Sequence, residues 1–204
     1  MKVKDHKLLA ALLQKAYSAE KAAAFAYQGH AGSVKNSDEK KAIRQIELEE
    51  WNHRAEVLKL MKQYDIPVSK KYEMRFHIVG KSISFSCYVI GWFMPFYFAG
   101  NLESGNVCEY IRIKRLFNQL NIHDHDEILC EMSLREKEHE IYFYHKIKDD
   151  KRLPFFEKFF KWGKESKNDV QLEDGFDTEH ANDYCKYYGE EKFVSKKELE
   201  NIEV

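Results

Sequence analysis

The sequence predicts an all-α protein: a four-helix bundle over residues 1–150, a short amphipathic helix over 151–168, and a polar, acidic tail over 169–204. Three prolines and nine glycines among 204 residues, with abundant lysine and glutamate, favour helix throughout. A glutamate and a histidine three residues apart occur twice, at Glu50/His53 and Glu136/His139, and this spacing puts both side chains on one helix face. Four-helix bundles that hold two metal ions use such a pair from each of two helices and a further glutamate from each of the other two.

Length and composition restrict the class of protein. A chain of 204 residues with 44% hydrophobic residues is long enough for one domain with a sizeable core. The net charge of −1 does not indicate a nucleic-acid partner. The four cysteines show neither a C-x-x-C pattern nor zinc spacing, and we expect them all to be thiols in a reducing compartment. They are Cys87, Cys108, Cys130 and Cys185.

The first predicted helix covers about residues 5–30. Leu12, Ala16 and Ala23 belong to its apolar stripe, and Glu20 lies among these small side chains. Because burying an unpaired charge is costly, a carboxylate at this place is expected to be paired or to bind a metal ion. A position at the edge of the stripe is the alternative.

The second predicted helix covers about residues 38–64. Glu50 and His53 share a face with Ile46 and Val57, so both are predicted to point inward. A single pair of this kind is more often part of a solvated helix face. The metal hypothesis therefore depends on the second pair lying on a separate helix.

The stretch 82–102 contains no charged residue and is rich in aromatic side chains. Pro95 and several serines count against a membrane span, so we expect a buried or interfacial helix that continues past Gly100 to about residue 120. Glu103 and Glu109 are the two acids of this third helix. They are six residues apart and lie on different faces, so periodicity does not choose between them as metal ligands.

The fourth predicted helix covers about residues 126–148 and carries the second pair. Its inner face is predicted to contain Leu129, Met132, Glu136, His139 and Phe143. Hard carboxylate oxygens together with imidazole nitrogens suit iron or manganese, and no thiolate is needed.

The short helix that begins at Pro154 carries four phenylalanines and Trp162 within nine residues of that proline. It is predicted either to cap the end of the bundle or to anchor the protein at a membrane surface, because aromatic residues and lysines together suit an interface. From about residue 169 the chain is acidic and polar, and we expect a loosely packed tail.

Four segments resemble one known family. They are the run EKAAAFAYQG over 20–29, Glu50-x-x-His53, the segment from Val107 to Glu109 with Asn118 following, and Glu136-x-x-His139. In this order and spacing they are similar to the ferritin-like demethoxyubiquinone hydroxylases. The resemblance covers about residues 15–147.

The resemblance implies a ferritin-like fold with a di-iron centre that activates O2. It favours Glu109 over Glu103, and it implies six ligands: Glu20, Glu50, His53, Glu109, Glu136 and His139. Glu50 and Glu136 would bridge two iron ions, with manganese as the alternative metal. Tyr27 would hydrogen-bond a ligand or relay an electron, and a core tyrosine is its alternative role.

The function that the resemblance implies is hydroxylation of an apolar aromatic molecule of quinone type by O2. The apolar stretch 82–102 agrees with it, since such a substrate needs an apolar channel. A ferroxidase or peroxidase of the ferritin and rubrerythrin kind is the alternative, and a bundle without catalysis is the third hypothesis. We expect a cytoplasmic protein with a peripheral contact on the inner face of the cell membrane. The oligomeric state stays open between a monomer and a homodimer.

Overall fold

The structure is a computed structural model that describes residues 2–163 and Cys185. Every element in this part of the chain is helical, which confirms the predicted all-α class. After a 3-10 turn at Val3–Asp5 come α1 (Lys7–Ser33), α2 (Ser37–Gln63), α3 (Lys70–Ser86), α4 (Phe93–Gln119), α5 (Asp126–Ile147) and α6 (Leu153–Phe160).

The predicted third helix is wrong in its first half. Instead of one helix through the apolar stretch, α3 ends at Ser86 and α4 begins at Phe93. Gly91 has φ +82°, a left-handed conformation that glycine adopts without strain and that cannot continue a helix. Pro95 lies in the first turn of α4, where its missing N–H costs no helical hydrogen bond.

The described residues fall into two compact units that divide between Pro95 and Phe96. The first unit contains α1, α2 and α3. The second contains nearly all of α4 together with α5 and α6.

In the first unit, α3 packs closely against α1 through small residues. A Cβ added at Gly80 would lie 2.7 Å from the Cα of Ala22, and one added at Gly29 would overlap the backbone of Ser84. The contact is reinforced by a charged cluster in which the Glu73 carboxylate accepts hydrogen bonds from Lys21 at 2.8 Å and from Arg54 at 3.0 Å.

In the second unit, Trp162 holds the segment after α6 against α4 and α5. Its ring fills the space beside Gly100, where a Cβ would overlap it. Its indole N–H donates to Glu140 at 2.9 Å, and its backbone oxygen accepts from the Tyr97 hydroxyl at 2.7 Å. Glu140 also pairs with Lys137 at 2.7 Å, and both side chains are fully buried.

The expectation of four thiols is wrong for two of them. Cys108 and Cys185 form a disulfide, whereas Cys87 and Cys130 are free. Sequence spacing shows zinc motifs but does not show which distant cysteines meet in the fold. Apart from Cys185, which is buried, the predicted tail over 169–204 lies outside the described residues.

Within the described helices, none combines the length and the apolar character required to cross a membrane.

Candidate metal centre

The first unit brings together Glu20 from α1 with Glu50 and His53 from α2. One donor atom of each lies within 4.8 Å of the other two, and all three side chains are buried. We call this group triad A. Glu50 and His53 share a face because they are three residues apart on one helix, so the spacing predicted from the sequence is present in the structure.

The local sequence around Glu20 leaves room for its carboxylate. Ala16, Ala23 and Ala24 are its neighbours on the buried side of α1, and each is at most 5% exposed. Tyr27, two helical turns further on, is buried as well. Its role as a catalytic residue stays a prediction.

The second unit brings together Glu103 from α4 with Glu136 and His139 from α5, which we call triad B. One donor atom of each lies within 4.8 Å of the others, and all three are buried. The Nδ1 atom of His139 lies 3.6 Å from a Glu136 carboxylate oxygen. The side-chain amide of Asn106 donates a hydrogen bond to Oε2 of Glu103 at 3.0 Å.

Burial raises the pKa of Glu103 well above its usual range, and the charge of Glu136 and a hydrogen bond to it act in the same direction. His139 and Asn106 oppose this shift but do not cancel it. Without a cation, burial and the neighbouring carboxylate therefore favour the protonated form of Glu103. A bound cation would allow both carboxyl groups to ionise.

The donor set of each triad fits a hard or borderline divalent metal ion. Each offers two carboxylates and one imidazole, which suit iron or manganese. Donors bound to one ion at about 2.1 Å lie at most about 4.2 Å apart, so the separations in both triads require only small side-chain movements.

Glu109, the ligand that the resemblance favours, is buried in α4 but lies outside triad B. Its assignment as a ligand stays a prediction, and Glu103 is now the better-supported rival. Helical periodicity could not choose between Glu103 and Glu109 as the ligand, because α4 is buried on several faces.

Two buried phenylalanine rings lie on the same two helices as triad B. Phe96 lies seven residues before Glu103 on α4, Phe143 lies four residues after His139 on α5, and both rings are fully buried. Their centroids are 6.0 Å apart in an edge-on arrangement. Tyr97 and Phe98, which also belong to the apolar stretch 82–102, contact the aromatic rings of α6 instead.

Sequence reasoning missed the buried pair Lys137/Glu140, which lies directly beside Glu136 and His139 on α5. The available signal was the i, i+3 spacing of a lysine and a glutamate. That spacing is common on solvated helix faces, so it did not indicate burial.

Comparison with family models, with curated proteins and with solved structures finds no match for this chain.

Proposed function

We propose that triads A and B are the two halves of one dinuclear metal centre and that the chain is an O2-dependent oxidoreductase. Two carboxylates and one imidazole from each of two helix pairs is the ligand pattern of di-iron and di-manganese bundles. The observation that carries the proposal is that two separate Glu-x-x-His pairs each acquire a second buried carboxylate, and so a third ligand, from a neighbouring helix.

Charge balance supports two divalent ions. Glu20, Glu50, Glu103 and Glu136 together carry four negative charges when ionised. Two divalent cations would neutralise them fully, which offsets the cost of burying carboxylates. In this proposal Glu103, in place of Glu109, is the ligand that α4 contributes.

Iron bound by these residues would supply the electrons and the open coordination positions that reaction with O2 requires. The chain's own contribution is to hold the ligands and to exclude water. The Phe96/Phe143 pair provides an apolar boundary next to triad B, and a dry, apolar boundary suits an apolar aromatic substrate better than a hydrated ion. We therefore propose hydroxylation of an apolar aromatic, of quinone type, as the reaction: one atom of O2 would enter the product and the other would leave as water, with two protons and with two electrons from an external reductant.

The first test is metal content after anaerobic loading with Fe(II). We expect about two iron ions per chain, by the pattern of such bundles. If one centre is shared, Glu50→Ala and Glu136→Ala should each remove most of both ions. A loss of one ion in each single variant would instead show two independent mononuclear sites and would contradict the shared centre.

The matched control is the double variant Glu49→Ala, Glu138→Ala. Glu49 directly precedes Glu50, and Glu138 directly precedes His139. Both face away from the triads, since Glu49 accepts a hydrogen bond from Gln45 and Glu138 pairs with Arg135. Metal content should be unchanged. Full iron retention in a Glu50→Ala, Glu136→Ala double variant would rule out the ligand assignment.

The second test concerns the substrate. Reduced, iron-loaded protein should consume O2 faster when a quinone-like aromatic is present, and one atom of labelled oxygen should appear in the product. If O2 consumption instead follows added Fe(II) over many turnovers, with no effect of any aromatic, the protein is a ferroxidase and the monooxygenase proposal fails.

A further inference from the structure

Helix α3 exposes several large apolar side chains on the face that points away from α1. Met74, Ile78 and Phe85 are 64%, 57% and 72% exposed. They are spaced i, i+4 and i+11, so they form one line along the outward face. Among the residues Lys70–Ser86 of this helix, Gly80 alone is buried, and it contacts α1.

Exposed cations flank this line. Lys71, Arg75 and Lys81 are exposed and fall on the same half of the helix as Met74 and Ile78. Lys81 also lies over the Phe25 ring at 3.7 Å.

Acidic residues do not balance these cations. The one acid between Asp65 and Glu103 is Glu73, and its carboxylate is held by Lys21 and Arg54. The outward face of α3 is therefore both apolar and positively charged. The apolar surface extends past the end of the helix to Tyr88 and Val89, which are 59% and 68% exposed.

We propose that the outward face of α3, with the residues up to Val89, docks on a membrane surface that contains anionic lipids. A helix with exposed apolar residues flanked by lysine and arginine binds in the plane of the headgroups, where the apolar side chains enter the acyl boundary and the cations meet anionic lipid. The proposal does not depend on the metal centre.

Charge argues for a membrane over a second copy of the chain. A symmetric dimer through this face would place the cations of one helix opposite those of the other, because the same surface meets itself. An anionic membrane offers the complementary charge. Helix α6 is a weaker candidate, since Asp150 and Glu157 accompany its lysines and Asp150 pairs with Arg152.

The test is flotation of the full-length protein with lipid vesicles. One set contains phosphatidylcholine alone and the other contains phosphatidylcholine mixed with anionic phosphatidylglycerol. The protein should float with the anionic vesicles at low salt, and raising the salt should weaken binding because the charges are screened. Equal binding to both sets of vesicles would overturn the electrostatic part of the proposal.

Two α3 variants separate the contributions. Lys71→Gln, Arg75→Gln should weaken binding to anionic vesicles about 25-fold, because each cation near an anionic surface contributes about fivefold. Ile78→Ser, Phe85→Ser should weaken it at least about 10-fold by removing apolar surface. Since all four residues are exposed, helical content should be unchanged.

The matched control is Phe155→Ser, Phe159→Ser on α6, where both phenylalanines are 62% exposed. It should bind within about twofold of the unmodified protein if α3 is the docking element. A loss as large as that of the α3 variants would overturn the assignment to α3. A dimer in light scattering that becomes a monomer in the Ile78→Ser, Phe85→Ser variant would show that this face binds a second copy instead.

Discussion

Glu103 lies where burial and a neighbouring carboxylate both favour its protonated form, so a cation should bind there more strongly than at an isolated acid. We predict that Glu103→Gln lowers iron content by at least one ion per chain, whereas Glu109→Gln lowers it less. Metal analysis of the two purified variants measures this. The reverse order would return the third-helix ligand to Glu109, as the family resemblance suggests.

The choice between these acids shows where sequence reasoning ends at the level of single residues. Helical spacing was sufficient for Glu50/His53 and Glu136/His139, because each pair is local to one helix. It was insufficient for α4, where Glu103 and Glu109 lie on different faces and both are buried. Only the tertiary structure identifies which face meets Glu136.

Glu73 provides a prediction for pH. Burial alone would raise its pKa, but hydrogen bonds from Arg54, Lys21 and Ser18 outweigh burial and lower the pKa from 4.5 to about 2. The folded state therefore releases the proton more readily than the unfolded state, and the stabilisation is present above about pH 4.5 and is lost as the pH falls towards 2.

We predict that Glu73→Gln lowers the free energy of unfolding at pH 7 by about 1–2 kcal/mol, allowing for solvent screening of a partly exposed cluster. Urea unfolding at pH 7 and near pH 2 should show the difference between variant and unmodified protein at the first pH and its near disappearance at the second. Glu56→Gln, at an exposed pair with Lys59, is the control and should have little effect at either pH.

The sequence pattern predicted the bounds of three helices to within a few residues. The predicted ranges 5–30, 38–64 and 126–148 correspond to Lys7–Ser33, Ser37–Gln63 and Asp126–Ile147. The prediction of one helix through the stretch 82–102 was wrong because this stretch has no charged residue to mark a solvent-facing side, so the break at Gly91 had no periodic signal.

Helix α3 packs against α1 through close contacts at Gly80 and Gly29, and the first of these leads to a prediction. We expect Gly80→Leu to destabilise the protein by at least about 2 kcal/mol, because even a Cβ would lie 2.7 Å from the Ala22 backbone and neither helix can yield locally. Thermal unfolding measures the loss, and amide hydrogen exchange should increase in α3 first. Ser82→Leu, on the exposed side of the same helix, should cost little.

For the whole molecule, the proposed centre makes a prediction about cooperativity. Triad A belongs to the first unit and triad B to the second, so metal ions shared between them would couple the unfolding of both. Calorimetry should show two transitions in metal-free protein and one at higher temperature after iron loading. Two transitions that stay separate, each shifted on its own, would indicate that the triads bind metal independently.

The bond between Cys108 and Cys185 turns part of the chain into a closed covalent ring that contains α5 and α6. A single cut of the backbone inside a ring opens it without releasing a piece. Protein nicked once between these cysteines should therefore migrate as one species on a denaturing gel without reductant and as two fragments once reductant is added. His139, which lies inside the ring, would remain attached to the rest of the molecule from one side or the other after any such cut.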